Sequence, residues 1–416
     1  VELGRQGTLT RIRATRQLQL LFRDLKFPIS EVTFGYMEET IILRAAPEKS
    51  NKKNARKSKK KLDIEYDDTP ETIRMRGVLN KYNELLNKSR LDVFSLEVPY
   101  IDRNVKKEVA GDNVRVYIDH RNTFVKRVFN NASWEAGGRF YGGWWQHINE
   151  ELRSDIMIND NPVVEIDFTA MHIALLQAQV AEKSEPDLVV VKGSEPQQKS
   201  DFFQEFSTSR FIDTDDAPNA NDDPYTLNKT IFPHKNDFDQ RKAVKKLVLM
   251  AINAKSRTLA FSAFRSDNPK GDPLRKMTNA ELSQLLDAFI EKHPKLESFL
   301  CTGKGLELMY LDSRIAESVI EQLTDKSIPV LCVHDSFIVA DKEKHELLRA
   351  MDHACNQVIG CNIRSDYTKD GLFDGFGKSN RTQKEPKKPA RKIVRCEGYM
   401  RRMGLVPCDD HFEWKL

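Results

Sequence analysis

Two aspartates, 168 positions apart, each close an apolar run of strand length: Pro162-Val-Val-Glu-Ile-Asp167-Phe-Thr-Ala-Met-His172 and Ile328-Pro-Val-Leu-Cys-Val-His334-Asp335-Ser-Phe-Ile-Val339. Apolar runs of this length make buried strands, and a strand carrying a carboxylate to its end or its turn presents it at the margin of a sheet. Two such carboxylates side by side suit divalent cations, which take oxygen ligands, and a pair of cations so held serves phosphoryl transfer. Taken singly, Asp167 also fits a turn or cap, and His334 the polar tip of a hairpin. The two together, each on its own strand, point to chemistry.

Between them, Arg241, Lys245, Leu249 and Asn253 follow at four-residue steps. That spacing lines them along one stripe of a helix, where two cations a turn apart can grip a triphosphate. A solvated basic face is the plain alternative; the position between the two aspartates favours the ligand. Upstream, four glycines between positions 137 and 143 surround Arg139, Phe140 and Tyr141, and Trp144 and Trp145 follow. Bare backbone lets a ligand approach closely, and the tryptophans suit either stacking on an unpaired base or anchoring a core.

These groups need elements to hold them. Thr69-Pro70-Glu71-Thr72 opens a helical pattern running to Lys88, with Ile73, Val78, Leu79, Tyr82, Leu85 and Leu86 on roughly one face. Val244, Leu247, Val248, Ala251 and Ile252 make 240–255 a basic amphipathic helix. Further helices are expected over 278–292, capped by Thr278 with Glu281 three residues on, and over 306–323. Around Asp335 the pattern is strand, turn, strand and then a helix over 342–358. A helical piece at 14–25 and an alternating stretch with Val32, Phe34 and Tyr36 come earlier. Residues 183–240 are polar and punctuated by proline and glycine, which predicts an irregular insertion or mobile lobe.

At 416 residues the chain exceeds the usual size of one core, so two or three lobes are expected. The net charge of +4 hides basic blocks: residues 49–61 hold eight Lys or Arg in thirteen positions, and 378–402 is again basic. The first block reads either as a solvated linker loop or as a grip on nucleic acid, two roles that are compatible because mobile lysines bind phosphates by counterion release. There is no run of eighteen apolar residues and no secretory pattern, which predicts a soluble, cytoplasmic protein without membrane contact. Six cysteines without CxxC spacing predict reduced thiols rather than a disulfide framework or a zinc centre.

In order, Gly138-Arg139, Asp167, Arg241-x3-Lys245 and His334-Asp335 resemble the ordered motifs of the family A DNA polymerases and the related single-subunit phage-type RNA polymerases. The resemblance covers about residues 137–339, and Val333-His334-Asp335-Ser336-Phe337 is its most specific piece. It implies an α+β right-hand fold with an antiparallel palm sheet, helical fingers at about 183–300 and a small thumb-like N-terminal lobe. The domains so drawn are a thumb-like accessory region at 1–136, a palm-and-fingers core at 137–376 and a basic tail at 377–416. The implied activity is template-directed nucleotidyl transfer, most simply by a DNA polymerase without proofreading, of the kind carried by phages and mobile elements. Its partners would be primed template or single-stranded DNA, nucleoside triphosphates and replication proteins, and the resemblance adds nucleoid association to the cytoplasmic expectation.

The resemblance also implies residue roles. Asp167, Asp335 and the backbone carbonyl of Phe168 would hold two Mg2+ ions, with Mn2+ as a substitute. Arg241 and Lys245 would bind the triphosphate, and Lys245 would protonate the departing pyrophosphate. His334 would sit by the primer terminus, and Arg139, Gln146 and Arg153 would touch template or primer phosphates and a minor-groove edge. The chain departs from the family where the sugar is chosen. His172 stands where the DNA polymerases commonly have Glu and the phage enzymes Gly, and Asn253 stands where both have Tyr. Leu249 replaces the usual aromatic or Met a turn earlier. An RNA polymerase or primase with relaxed sugar selection, a two-metal nuclease and a degenerate nucleic-acid-binding relative therefore stay open.

Overall fold

The computed structural model describes residues 38–46, 62–104, 113–119, 122–184, 223–233, 238–367 and 393–405, together with Gln17 and Leu20. The lysine-rich loop at 49–61, most of the pieces expected at 14–36 and most of the insertion at 183–240 lie outside the described residues. In chain order, Ile41–Leu43 (β1) leads to the helix Pro70–Lys88 (α1), then Leu91–Val93 (β2), Tyr100–Asn104 (β3), Asn113–Tyr117 (β4), Lys126–Asn130 (β5) and Ser133–Tyr141 (β6). A 3-10 turn at Trp144–His147 and the short helix Glu150–Arg153 (α2) precede Ile156–Ile158 (β7), Asn161–Phe168 (β8) and Met171–Ser184 (α3). Helices Gln240–Asn253 (α4), Arg257–Asp267 (α5), Asn279–Lys292 (α6) and Gly305–Asp325 (α7) follow. The hairpin Leu331–Val333 (β9) and Ser336–Ala340 (β10), helix Lys344–Ile359 (α8), strand Ser365–Tyr367 (β11) and helix Glu397–Arg402 (α9) complete the order.

The architecture is α+β, and the sheet that matters for the site runs β2-β7-β8-β10-β9, all antiparallel. β8 lies at its centre. β7 pairs with the first residues of β8 and β11 with the last, so the Asp167 end has a strand on each side. The run Val163, Val164, Ile166 and Phe168 is buried throughout, as a central strand with apolar cover on both faces should be. A second sheet, β1-β5-β6, and a two-stranded ribbon, β3-β4, stand beside it. One apolar cluster joins the strands to α1 and to α3 through α8, so among the described residues the central sheet and the helices share a core.

Local signals place the helices. Thr69 caps α1, accepting from the Thr72 amide while the Thr72 hydroxyl accepts from the Thr69 amide, and Pro70 follows at the first turn. Thr278 and Glu281 make the same reciprocal box at α6. The buried face of α1 is Met75, Val78, Leu79, Tyr82 and Leu86, whereas Ile73 is 57% exposed. Asp68 and Glu71 hold the entry of α1 to Arg76 and Arg74, and that turn faces outward.

The part of residues 1–136 that is described mixes helix and strand. It contains one long helix, α1, with β1 to β5 and the start of β6. β3, β4 and β5 mix charged and apolar residues over only five positions each, too short for a clear period; β3 pairs with β4 and β5 with β6 nearby in the chain, and only the pairing of β5 with β1 joins distant segments. A boundary at 136/137 falls inside β6, and β2 pairs into the central sheet. Residues 393–405, read from the sequence as part of a basic tail, carry α9. Its Tyr399 is fully buried against Phe94 and Met157, and its hydroxyl donates to Asp160 Oδ1 at 2.8 Å.

Candidate active site

Asp167 is the penultimate residue of β8, and its register partner on β10 is Ser336, the residue after Asp335. His334 and Asp335 are the two turn residues between β9 and β10, and His334 takes φ 59. Two-residue hairpins need positive φ in the turn, and His is among the non-glycine residues that accept it. The hairpin is pinned from behind. Trp145 Nε1 and Gln146 Nε2 both donate to the Cys332 carbonyl (3.0 and 2.9 Å), and the Tyr82 hydroxyl donates to the Val330 carbonyl at 2.7 Å. Trp144 and Trp145 are both buried, which makes them core anchors rather than a stacking platform.

The two aspartates act on one another. Burial, then the neighbouring charges of Asp335 and Glu165, push the Asp167 carboxyl up to about 7, against the opposing pull of Lys245 and the Phe168 amide. Asp167 Oδ1 is buried and has no hydrogen-bond partner among the described residues. An unpaired buried oxygen beside a second carboxylate is unfavourable as protein alone and fits a divalent cation. Among the described residues no group of three or more His, Cys, Asp or Glu forms a metal cage. Mg2+ often takes just one or two carboxylates and completes its shell with water and substrate phosphates. Asp167 and Asp335 fit that role.

Lys245 faces this pair electrostatically from α4, with its Nζ 6.0 Å from the centre of the Tyr225 ring. Burial and then Asp223 raise the Tyr225 hydroxyl well above the usual phenol range, and Asp335 adds to the effect. Tyr225, in the polar stretch read as insertion, therefore belongs to the same site. Its segment is tied to α6, because Lys292 Nζ donates to the carbonyls of Asp223 (3.0 Å) and Thr226 (2.7 Å). Arg241, one turn before Lys245, is exposed and ion-paired with Asp223. Further along the stripe, Asn253 is exposed and donates to the Leu249 carbonyl at 2.7 Å, so α4 presents Arg241, Lys245 and Asn253 outward as the four-residue spacing predicts.

The remaining candidates are engaged within the protein. Arg153 makes a two-pronged bond to Glu165 (2.9 Å each), which also accepts from the Ser336 hydroxyl at 2.6 Å. Gln146 spends its amide on the carbonyls of Cys332 and Phe140. Both side chains brace the sheet under Asp167 and Asp335. The His334 ring stands 5.5 Å from that of Tyr141, with Nδ1 buried and unpartnered among the described residues. Burial, then Arg139, lowers its pKa, which keeps the ring neutral.

Arg139 and His172 meet at a residue the sequence reading missed. Asp312 of α7 accepts from Arg139 Nε on both oxygens (3.1 and 3.0 Å) and from Arg139 Nη2, and its Oδ2 is 3.3 Å from His172 Nε2. Burial alone would lower the Arg139 pKa, but Asp312 outweighs it and holds the guanidinium charged. The signal was in the sequence: Asp312 interrupts the buried stripe Leu308, Ile315, Ala316, Val319 and Leu323. Asp366 on β11, directly across from Asp167 in register, was missed as well. It accepts from the Thr169 hydroxyl at 2.8 Å.

Among the described residues no helix is long and apolar enough to cross a membrane. Compared with known proteins, the chain matches no family model and no curated sequence.

Proposed function

We propose that this protein transfers nucleotides from nucleoside triphosphates to the 3′-hydroxyl of a nucleic acid strand under the direction of a template. The simplest form is a DNA polymerase without proofreading. The observation that carries the reading is the pair Asp167 and Asp335, set side by side by β8 and the β9-β10 hairpin with a buried, unpaired Asp167 oxygen. In a right-hand reading, the central antiparallel sheet is the palm, α4 to α6 are the fingers, and the part of 1–136 around α1 is the thumb-like lobe.

Asp167, Asp335 and the Phe168 carbonyl would hold magnesium, which when bound activates the attacking hydroxyl and neutralises the triphosphate. Arg241 and Lys245, outward on one stripe of α4, would bind the triphosphate oxygens. An incoming triphosphate takes the place of the Asp223 carboxylate that Arg241 now holds. Lys245 then sits between the triphosphate and the aspartate pair, where its ammonium can give a proton to the pyrophosphate as it leaves. The neutral His334 ring offers a hydrogen bond at the strand terminus. Arg153 and Gln146 support the reaction from beneath by fixing Glu165 and Cys332 in the sheet.

The deciding experiment is extension of a labelled primer-template, and of an unprimed single strand, with Mg2+ or Mn2+ and either deoxyribonucleotides or ribonucleotides, beside Asp167→Ala. Product that depends on Asp167 supports the reading, and the substrate used separates DNA polymerase from RNA polymerase or primase. Strand cleavage without nucleotides, or binding without any product, would replace it with the nuclease or the binding-module reading.

A further inference from the structure

Asp312 lies in the middle of α7 with its side chain 1% exposed, and both its oxygens are occupied by Arg139. His172 Nε2 approaches the same carboxylate and stands 3.2 Å from Arg139 Nη2. The three residues come from three elements, α7, β6 and α3. The cluster borders the aspartate pair: Arg139 and His334 both feel the charge of Asp335, and His334 also feels Arg139 and Asp312. Arg139 Nη1 makes no hydrogen bond among the described residues, so one edge of the guanidinium stays available while the other is clamped.

A cation held this way is a poor free phosphate contact. To give its whole fork to a phosphate, Arg139 would leave Asp312 as a buried, unpaired carboxylate, which is strongly unfavourable. An arginine fixed on one edge and open on the other is well suited to setting a position.

We propose that Asp312 is a positioning residue, a buried anion that locks Arg139 and His172 in one register beside Asp335 so that they seat the sugar-phosphate end of a nucleic acid strand. The proposal rests on the nucleotidyl-transfer reading above. Asp312 touches no substrate; it acts through Arg139 and His172.

The test is Asp312→Asn in the full chain, with folding matched to the parent by circular dichroism and melting. Asparagine keeps the shape and loses the charge. The rate of single-nucleotide primer extension should fall about 100-fold with little change in the triphosphate KM, the scale expected for misplacement rather than lost binding. At the same time Arg139 becomes an uncompensated cation, so the log-log salt dependence of primer-template affinity should steepen by about one unit, and Arg139→Gln in the same background should remove that gain. Both changes are required. A rate loss with an unchanged salt slope means that Asp312 is merely structural, and a wild-type rate also overturns the proposal. If Asp312→Asn does not fold, Arg139→Lys takes its place. Lysine cannot bridge both Asp312 oxygens, so it should lose rate to a similar degree while keeping the parent's salt slope, and a wild-type rate there overturns the proposal. If the wild type makes no product, the polymerase reading fails, and the salt slopes alone then decide whether Asp312 neutralises Arg139.

Discussion

The backbone N–H of Phe168 donates to the carbonyl oxygen of Asp335 at 3.2 Å, so the two aspartate segments are fastened by main chain, independently of their carboxylates. The site's frame should therefore survive loss of either acid. Asp335→Ala and Asp167→Ala should each lower primer extension by at least about 1,000-fold, as expected for groups that act as a unit. Filter binding of primed template should change little. Unchanged synthesis in either variant would remove the assigned cation site.

The raised Asp167 carboxyl gives a pH signature in chelator-treated protein. Unfolded, this group releases its proton near the usual carboxylate value of about 4; folded, it does so at about 7. Between those values the folded state binds more protons, so stability should fall as pH rises, by at most about 1.4 kcal/mol per unit. Thermal melting across pH 4 to 8 should show the decline, and Asp167→Asn should flatten it. Added Mg2+ should restore stability most at the alkaline end, where the carboxylate is free to bind it. A melting temperature indifferent to Mg2+ at pH 8 would argue against the site.

Arg241 and Lys245 are both exposed but face different groups, and they should differ in effect. Arg241 is exposed and has an alternative partner in Asp223, so Arg241→Ala should raise the triphosphate KM about tenfold and leave kcat nearly intact. Lys245 faces the Asp167 charge, so Lys245→Ala should lower kcat as well, by about 100-fold if it donates a proton. Steady-state single-nucleotide incorporation separates the two patterns; equal KM effects with no loss of kcat would confine Lys245 to binding.

Gly138 is required by packing. Its φ is +76, and a Cβ there would lie 2.8 Å from Ser313 Oγ and 2.9 Å from the Phe129 ring. Gly138→Ala should destabilise the protein by about 2–4 kcal/mol, combining left-handed backbone strain with overpacking. Urea denaturation measures this. A loss below about 1 kcal/mol would show that α7 yields at Ser313.

The parts legible in the sequence were those specified locally. Thr69 with Thr72 and Thr278 with Glu281 mark helix starts through bonds made within four residues, and the Arg241–Asn253 stripe follows from one helix's period. The apolar runs before Asp167 and Asp335 marked β8 and the β9-β10 hairpin. What was not legible depends on distant partners. β11 is three residues with no apolar pattern and exists because β8 has an open side there. Tyr225 joins the site through α6, and Arg153 and Gln146 are drawn inward by Glu165 and Cys332, each contacted across a turn or from a remote strand.

The helix α9 closes what would otherwise be a template for self-association. β2 is the outer strand of the central sheet, and the Cys396 amide bonds the Phe94 carbonyl just beyond it at 3.0 Å, while Arg402 grips Asp92. A chain shortened before residue 393 would keep every candidate catalytic residue and leave Phe94 and Met157 uncovered beside an open strand. Such a product would be catalytically complete yet prone to stick to copies of itself, edge to edge.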